Sequence, residues 1–339
     1  MANSFKNSYF YIGYIRRVFL SLLLCFSFGL TYEFDADLIE NWQKANEILD
    51  TLKISKKQKE DILNSIKALK ENENELKEFE TLSLCVKNGD IECAKKSIEK
   101  YPKLLSYKFH PYGSLLTATL KYKNIERNKY GFIAKVDFGF DEKMFDFLVS
   151  KGHRIYGDDN MLPFLLLLNE AVSDEKCLEI IKKMRDDGMD LGIKMPYNEN
   201  LSLDTVALEY YKPKTAAYIL KNGQKSQFFN AYPLKIWAHI MVFFTENNAS
   251  FEKELKATPK SIELSKSEKY KKFIDKEFEI LKVYLKANGD EKFIAEIEKI
   301  FTELNDKESL EKLEKLGYKL KKDNLENILK NIRRQNNGK

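Results

Sequence analysis

Glycine and proline are scarce in this chain, at 14 and 7 of 339 residues. That scarcity argues against an all-β fold built on many tight turns. Histidine is rarer still: His110, His153 and His239 are the full set, and no two stand at a metal-ligand spacing such as His-x3-His. The four cysteines form no Cys-x2-Cys pair, and no phosphate-loop, dinucleotide or Gly-x-Ser-x-Gly pattern occurs. No catalytic residue, metal or cofactor is assigned from the sequence, and no small-molecule substrate is expected. Carboxylates cluster in "GFDEKMFD" and "DDGMD", but the first opens a helical pattern and the second closes one. Acids at a helix start are ordinary partners of its dipole.

Apolar residues make up 43% of the chain and charged ones 32%, the balance of a globular protein rather than a disordered one. The net charge of +5 is unevenly placed. Lys6, Arg16 and Arg17 fall within residues 1–29, which carry no acid, leaving +2 for everything beyond. There the charges are interspersed, as on a solvated surface, and no nucleic-acid partner is expected.

The first thirty residues read as an address. Arg16 and Arg17 precede "VFLSLLLCFSFGL", an uncharged apolar run followed by the acidic "YEFDAD". A basic region, a short apolar core and small residues at its end mark a secretory signal. Ser27 and Gly29 supply the small pair for cleavage after Gly29, with Gly29 and Thr31 as a second choice. The run falls short of the roughly 20 apolar residues a spanning helix needs. "YFYIGYI" just upstream is also apolar, so an uncleaved anchor in the inner membrane, facing the periplasm, is the alternative. Residues 1–29 are thus assigned to a signal peptide or anchor, and the rest to the periplasm or another exported compartment. A membrane partner is expected only if that segment stays uncleaved.

The remaining sequence reads as helical hairpins. In "LSLCVKNGDIECAKKSIEKYP", Leu82, Cys85 and Val86 form a helical stripe that stops at Asn88-Gly89. Gly tolerates the left-handed conformation that ends a helix, and Asp90 is a good N-cap for the next. A second stripe, Ile91, Ala94 and Ile98, then runs towards Pro102. The closing pattern recurs: "KMFDFLVSKG" ends at Gly152, "LEIIKKMRDDG" at Gly188 and "KTAAYILKNG" at Gly223. Four residues before these glycines stand Leu148, Met184 and Ile219, and seven before stand Phe145, Ile181 and Ala216. A spacing of 36 and then 35 residues signals a stacked repeat, whose units bury their apolar faces only against neighbours.

Over about Glu80 to Lys225 the chain resembles the ankyrin-repeat family. "ETLSLC" (from Glu80), "SLLTAT" (from Ser114), "LPFLLL" (from Leu162) and "LSLDTV" (from Leu201) stand where that family opens its first helix with Thr-Pro-Leu-His-x-Ala. The segments "GHRIYGDD" and "GMDLGIKM" are similar to its projecting loops. A generic helical-hairpin solenoid is the plainer alternative. The second unit departs most, because "FIAKVDFGF" alternates apolar and polar residues and reads as a small β-excursion or an extended aromatic loop. The fold expected is therefore all-α: an ankyrin-like repeat solenoid over 80–225, with helical caps at both ends. The amino-terminal cap covers 30–79, including one long helix capped by Ser55. The carboxy-terminal region, 226–339, is either a cap or worn repeats closing at Gly289 and Gly317.

The resemblance implies protein–protein binding through the loops and first helices. Aromatic and arginine side chains are the usual anchors of an interface. Tyr107, Phe109, His110 and Tyr112 precede the second unit; His153, Arg154 and Tyr156 follow Gly152; Lys194 and Tyr197 follow Gly188. The expected function is non-catalytic binding of an unidentified protein in the cell envelope. The rivals are a periplasmic immunity or chaperone-like factor for a toxin or enzyme, and an enzyme whose site joins His239 to acids such as Glu246. In an exported chain, Cys85 and Cys93 are candidates for a disulfide across the tight turn, against two free thiols. Cys177 reads as a small apolar residue.

Overall fold

The computed structural model describes residues 56–107, 114–127, 133–156, 161–195, 198–227 and 229–321. Phe109, His110, Tyr112, Tyr197 and the 1–29 segment lie outside them. The chain is mostly helical, with thirteen α-helices among the described residues and strands only in two small antiparallel hairpins. It divides at Ser226 into two compact units.

In the first unit, α1 (Lys56–Glu71) stops where one long helix was expected. Asn72 interrupts it. Its side-chain oxygen accepts from the Glu75 amide, and its Nδ2 donates to Glu75 Oε1 at 2.8 Å, a reciprocal cap that starts α2 (Glu73–Asn88). Helix α2 therefore begins seven residues before Glu80. It ends as its sequence dictates: Gly89 takes φ 76°, and the Asp90 side chain caps α3 (Ile91–Lys100) through the Cys93 amide at 3.0 Å. Phe79, Leu82 and Val86 are buried with Ala94 and Ile98.

"SLLTAT" is not a helix. Only a single 3-10 turn forms at Thr117–Thr119. Thr119 Oγ1 donates to the Leu116 carbonyl at 2.6 Å, and Thr117 Oγ1 accepts from the Ser114 amide at 2.9 Å. Such local bonds from hydroxyls offer the backbone an alternative to a helix. The chain then enters β1 (Leu120–Arg127) and β2 (Ile133–Phe140), paired antiparallel from Leu120 opposite Phe140 to Arg127 opposite Ile133. Asp141 closes the hairpin, its amide donating to the Thr119 carbonyl at 2.9 Å, and its side chain caps α4 (Glu142–Ser150).

Two further helix pairs follow: α5 (Leu162–Leu168) with α6 (Asp174–Asp186), and α7 (Leu203–Glu209) with α8 (Pro213–Asn222). Between the pairs, β3 (Lys194–Met195) and β4 (Asn198–Ser202) form the second hairpin. Helix α5 lies beside α7, and α6 beside α8. All six side chains at four and seven residues before Gly152, Gly188 and Gly223 are buried. Gly152 and Gly188 take φ 96° and 103°, and the next amide in each case donates to the carbonyl of Leu148 or Met184. Gly223 does not share that conformation, having φ −117°. A Cβ there would stand 3.0 Å from both the Ile219 carbonyl oxygen and Leu191 Cβ, so glycine lets these groups approach without being pushed apart.

The second unit holds α9 (Tyr232–Glu246), α10 (Pro259–Ser265), α11 (Glu268–Lys286), α12 (Ile294–Glu303) and α13 (Lys307–Lys315). Helix α9 lies beside α11 and α12, and α12 pairs with α13. Gly317 closes α13 with φ 94° over a fully buried Leu313. At the other expected closure Asn288, not Gly289, takes the left-handed conformation, φ 54°. Gly289 is required because a Cβ would collide with the Tyr284 ring. No helix among the described residues is long and apolar enough to cross a membrane.

Candidate partner-binding site

The loop after Gly152 is fixed by the end of the following hairpin. Asp187, at the end of α6, accepts from the Tyr156 amide at 3.2 Å, and its carboxylate lies 3.4 Å from Arg154 Nε. Arg154 also donates to the Asp187 carbonyl at 3.4 Å, yet its side chain keeps 69% of its surface exposed. His153 Nδ1 lies 2.8 Å from the Arg154 carbonyl oxygen, which the Nδ1–H tautomer satisfies. Burial pushes this imidazole below its ordinary 6.5, while the carbonyl pulls the other way. An open groove of about 430 Å³ runs between His153, Arg154 and Ile155 of the loop and Lys183, Asp186 and Asp187 of α6. Lys194 is exposed on β3.

Tyr107 belongs elsewhere. Its hydroxyl donates to Glu75 Oε2 at 2.6 Å, and its ring meets Phe79 edge-on at 6.1 Å. Lys103 reaches the same carboxylate at 2.5 Å. The Lys103 ammonium and then the Tyr107 hydroxyl hold the buried Glu75 below the usual carboxylate range. Tyr107 thus anchors the segment after α3 against α2.

Sequence reasoning missed the residues that join one hairpin to the next. Lys176 on α6 pairs with Glu142 at 3.1 Å and Asp146 at 2.9 Å on α4. Arg185 donates to the Tyr218 hydroxyl at 2.9 Å and to Asn222 Oδ1 at 3.1 Å on α8. Lys212 is buried, and its ammonium donates to the carbonyls of Asn169, at 3.2 Å, and Val172. Lys176 and Arg185 stand about one repeat from their partners and Lys212 somewhat further, a spacing legible only once the hairpins are aligned.

Cys85 and Cys93 lie at disulfide distance across the α2–α3 turn, with Cα atoms 5.7 Å apart. Cys177 is buried, its thiol pushed up to about 12 by that burial. His239 meets Glu277 rather than Glu246: Nδ1 lies 3.1 Å from Glu277 Oε1, with side chains 10% and 3% exposed. Glu246 is exposed two helical turns further along α9. Among the described residues no group of three or more His, Cys, Asp or Glu side chains is arranged to hold a metal ion. No family model, curated protein or solved structure matches the chain.

Proposed function

We propose that residues 80–225 act as an ankyrin-like row of helical hairpins that binds a protein partner in the cell envelope without catalysing a reaction. The observation that carries this reading is the fixing of the Arg154–Tyr156 backbone and guanidinium by Asp187, one hairpin further on. A side chain that is exposed and already ordered loses little entropy on association. Arginine and tyrosine so placed are effective anchors. What supports a repeating row is that Gly152 and Gly188 take the same left-handed conformation just after α4 and α6. The export part of the reading rests on the amino-terminal signal pattern.

The test is affinity capture from the native envelope fraction with the wild-type chain and with Arg154→Ala and Tyr156→Ala. Capture of one protein by the wild type, reduced about tenfold by Arg154→Ala at an unchanged melting temperature, is expected from the loss of one interface anchor. Undiminished capture by both variants would place the contact face elsewhere.

A further inference from the structure

The loop after α9 carries a feature that binding does not use. Asn248-Ala249-Ser250 is an Asn-x-Ser triplet, the acceptor pattern for N-linked glycosylation of exported proteins. The sequence holds two such triplets; the other is Asn200-Leu201-Ser202. They sit in opposite surroundings.

Asn248 is exposed at the left-handed position that closes α9, with φ 54°. Its amide N–H donates to the Thr245 carbonyl at 3.1 Å, and Ala249 donates to Phe244 at 2.9 Å. Its neighbour Asn247 is engaged at both ends of its side chain, with the Phe243 carbonyl and with Lys269. The Asn248 side chain has no partner among the described residues. Ser250 is exposed, as the hydroxyl of an acceptor triplet must be for recognition. Glu246 adds an exposed acid two positions before Asn248. At the second triplet Leu201 and Ser202 are buried, and the Ser202 hydroxyl is committed to Asp204 and Thr205. No acid stands two before Asn200; that residue is Asn198.

We propose that Asn248 is an N-glycosylation site, modified by an oligosaccharyltransferase using a lipid-pyrophosphate-linked oligosaccharide. Asn248 Nδ2 forms a bond to the anomeric carbon of the sugar, that carbon's bond to the pyrophosphate oxygen breaks, and the lipid pyrophosphate leaves with its electron pair. One amide proton passes to a base of the transferase. The proposal rests on the export reading, because donor and transferase act outside the cytoplasm.

The experiment expresses the full chain in a bacterial host with and without an oligosaccharyltransferase and its lipid-linked donor, then measures intact mass and maps peptides from the envelope fraction. The expected result is one oligosaccharide on the Asn248 peptide, only with the transferase, and none on the Asn200 peptide. Ser250→Ala and Asn248→Gly should each abolish the added mass. Neither strains the fold, since glycine adopts the left-handed conformation freely and Ser250 is exposed. An envelope-located chain with an unmodified Asn248 peptide in the transferase host overturns the proposal. A chain found only in the cytoplasm overturns the export reading and the proposal with it.

Discussion

Asp174 at the start of α6 caps α8: its Oδ1 accepts from the Thr215 amide at 3.0 Å and the Thr215 hydroxyl at 2.7 Å, and its Oδ2 from the Lys214 amide at 2.6 Å. One hairpin thus satisfies the orphan amides at the helix start of the next. Removing a cap costs about 0.5–2 kcal/mol. Asp174→Ala should therefore destabilise the 56–226 unit by up to about 2 kcal/mol, with Asp174→Asn losing less. Urea unfolding followed by circular dichroism measures this, and an unchanged midpoint would remove Asp174 from the joint.

Lys212 should be still less replaceable. Its buried ammonium donates to the Val172 carbonyl and shares the Asn169 carbonyl with the Val172 amide, so its loss orphans one buried acceptor, at about 1–3 kcal/mol. Lys212→Met keeps the apolar stem and removes the donor. It should destabilise the unit by about 1–3 kcal/mol, a loss that the same denaturation experiment reads directly.

The cysteines give a prediction that counts atoms. With residues 1–29 removed, three cysteines remain: Cys85, Cys93 and Cys177. If Cys85 and Cys93 are bonded, one thiol reacts in denaturant without reductant, and three react after reduction. In the native state Cys177 should resist alkylation at neutral pH, because burial raises its pKa to about 12. Closing so short a loop stabilises by about 2–3 kcal/mol in the chain-entropy estimate, so Cys93→Ser should lower the melting temperature.

Alkaline pH should undo the second unit. Burial pushes Tyr284 up to about 12, and burial reinforced by the carboxylates of Asp306 and Glu298 raises Tyr270 and Tyr318 above their ordinary 10. A folded-state pKa above the unfolded one means that the stability is full below pH 10. It falls as pH rises from 10 towards 12, while unfolded phenols ionise more readily. Circular dichroism and absorbance at 295 nm, recorded together from pH 8 to 12.5, should show these tyrosines ionising with the loss of helix. Ionisation of all tyrosines near pH 10 with the helix signal intact would contradict the buried phenols.

How much of this was legible in the sequence depends on the range of the forces involved. The α2–α3 hairpin was, because Gly89 and Asp90 act on their own backbone and the stripe through Leu82 and Val86 is local. The start of α2 was missed although Asn72 and Glu75 stand at capping-box spacing; the continuous charged pattern hid it. The leucines of "SLLTAT" fit a helix, but its hydroxyls bond to the local backbone and only a single turn forms. Gly223 and Gly289 stand at helix ends, but neither takes the left-handed conformation of a glycine stop; Leu191 packs close to the first and the Tyr284 ring leaves no room for a Cβ at the second. Tyr107 and Arg154 were indistinguishable as candidates. Only the packing of Glu75 and Asp187 separates an internal anchor from an exposed one.

The most direct measurement of the central claim is site-specific photo-crosslinking in the native envelope. A photoreactive residue replaces Ile155, beside Arg154 in the groove, Lys194 or, at the start of α8, Lys214. One envelope protein joined to positions 155 and 194 and absent from 214 is the expected result. An adduct at 214 alone, or none at any of the three, would contradict it.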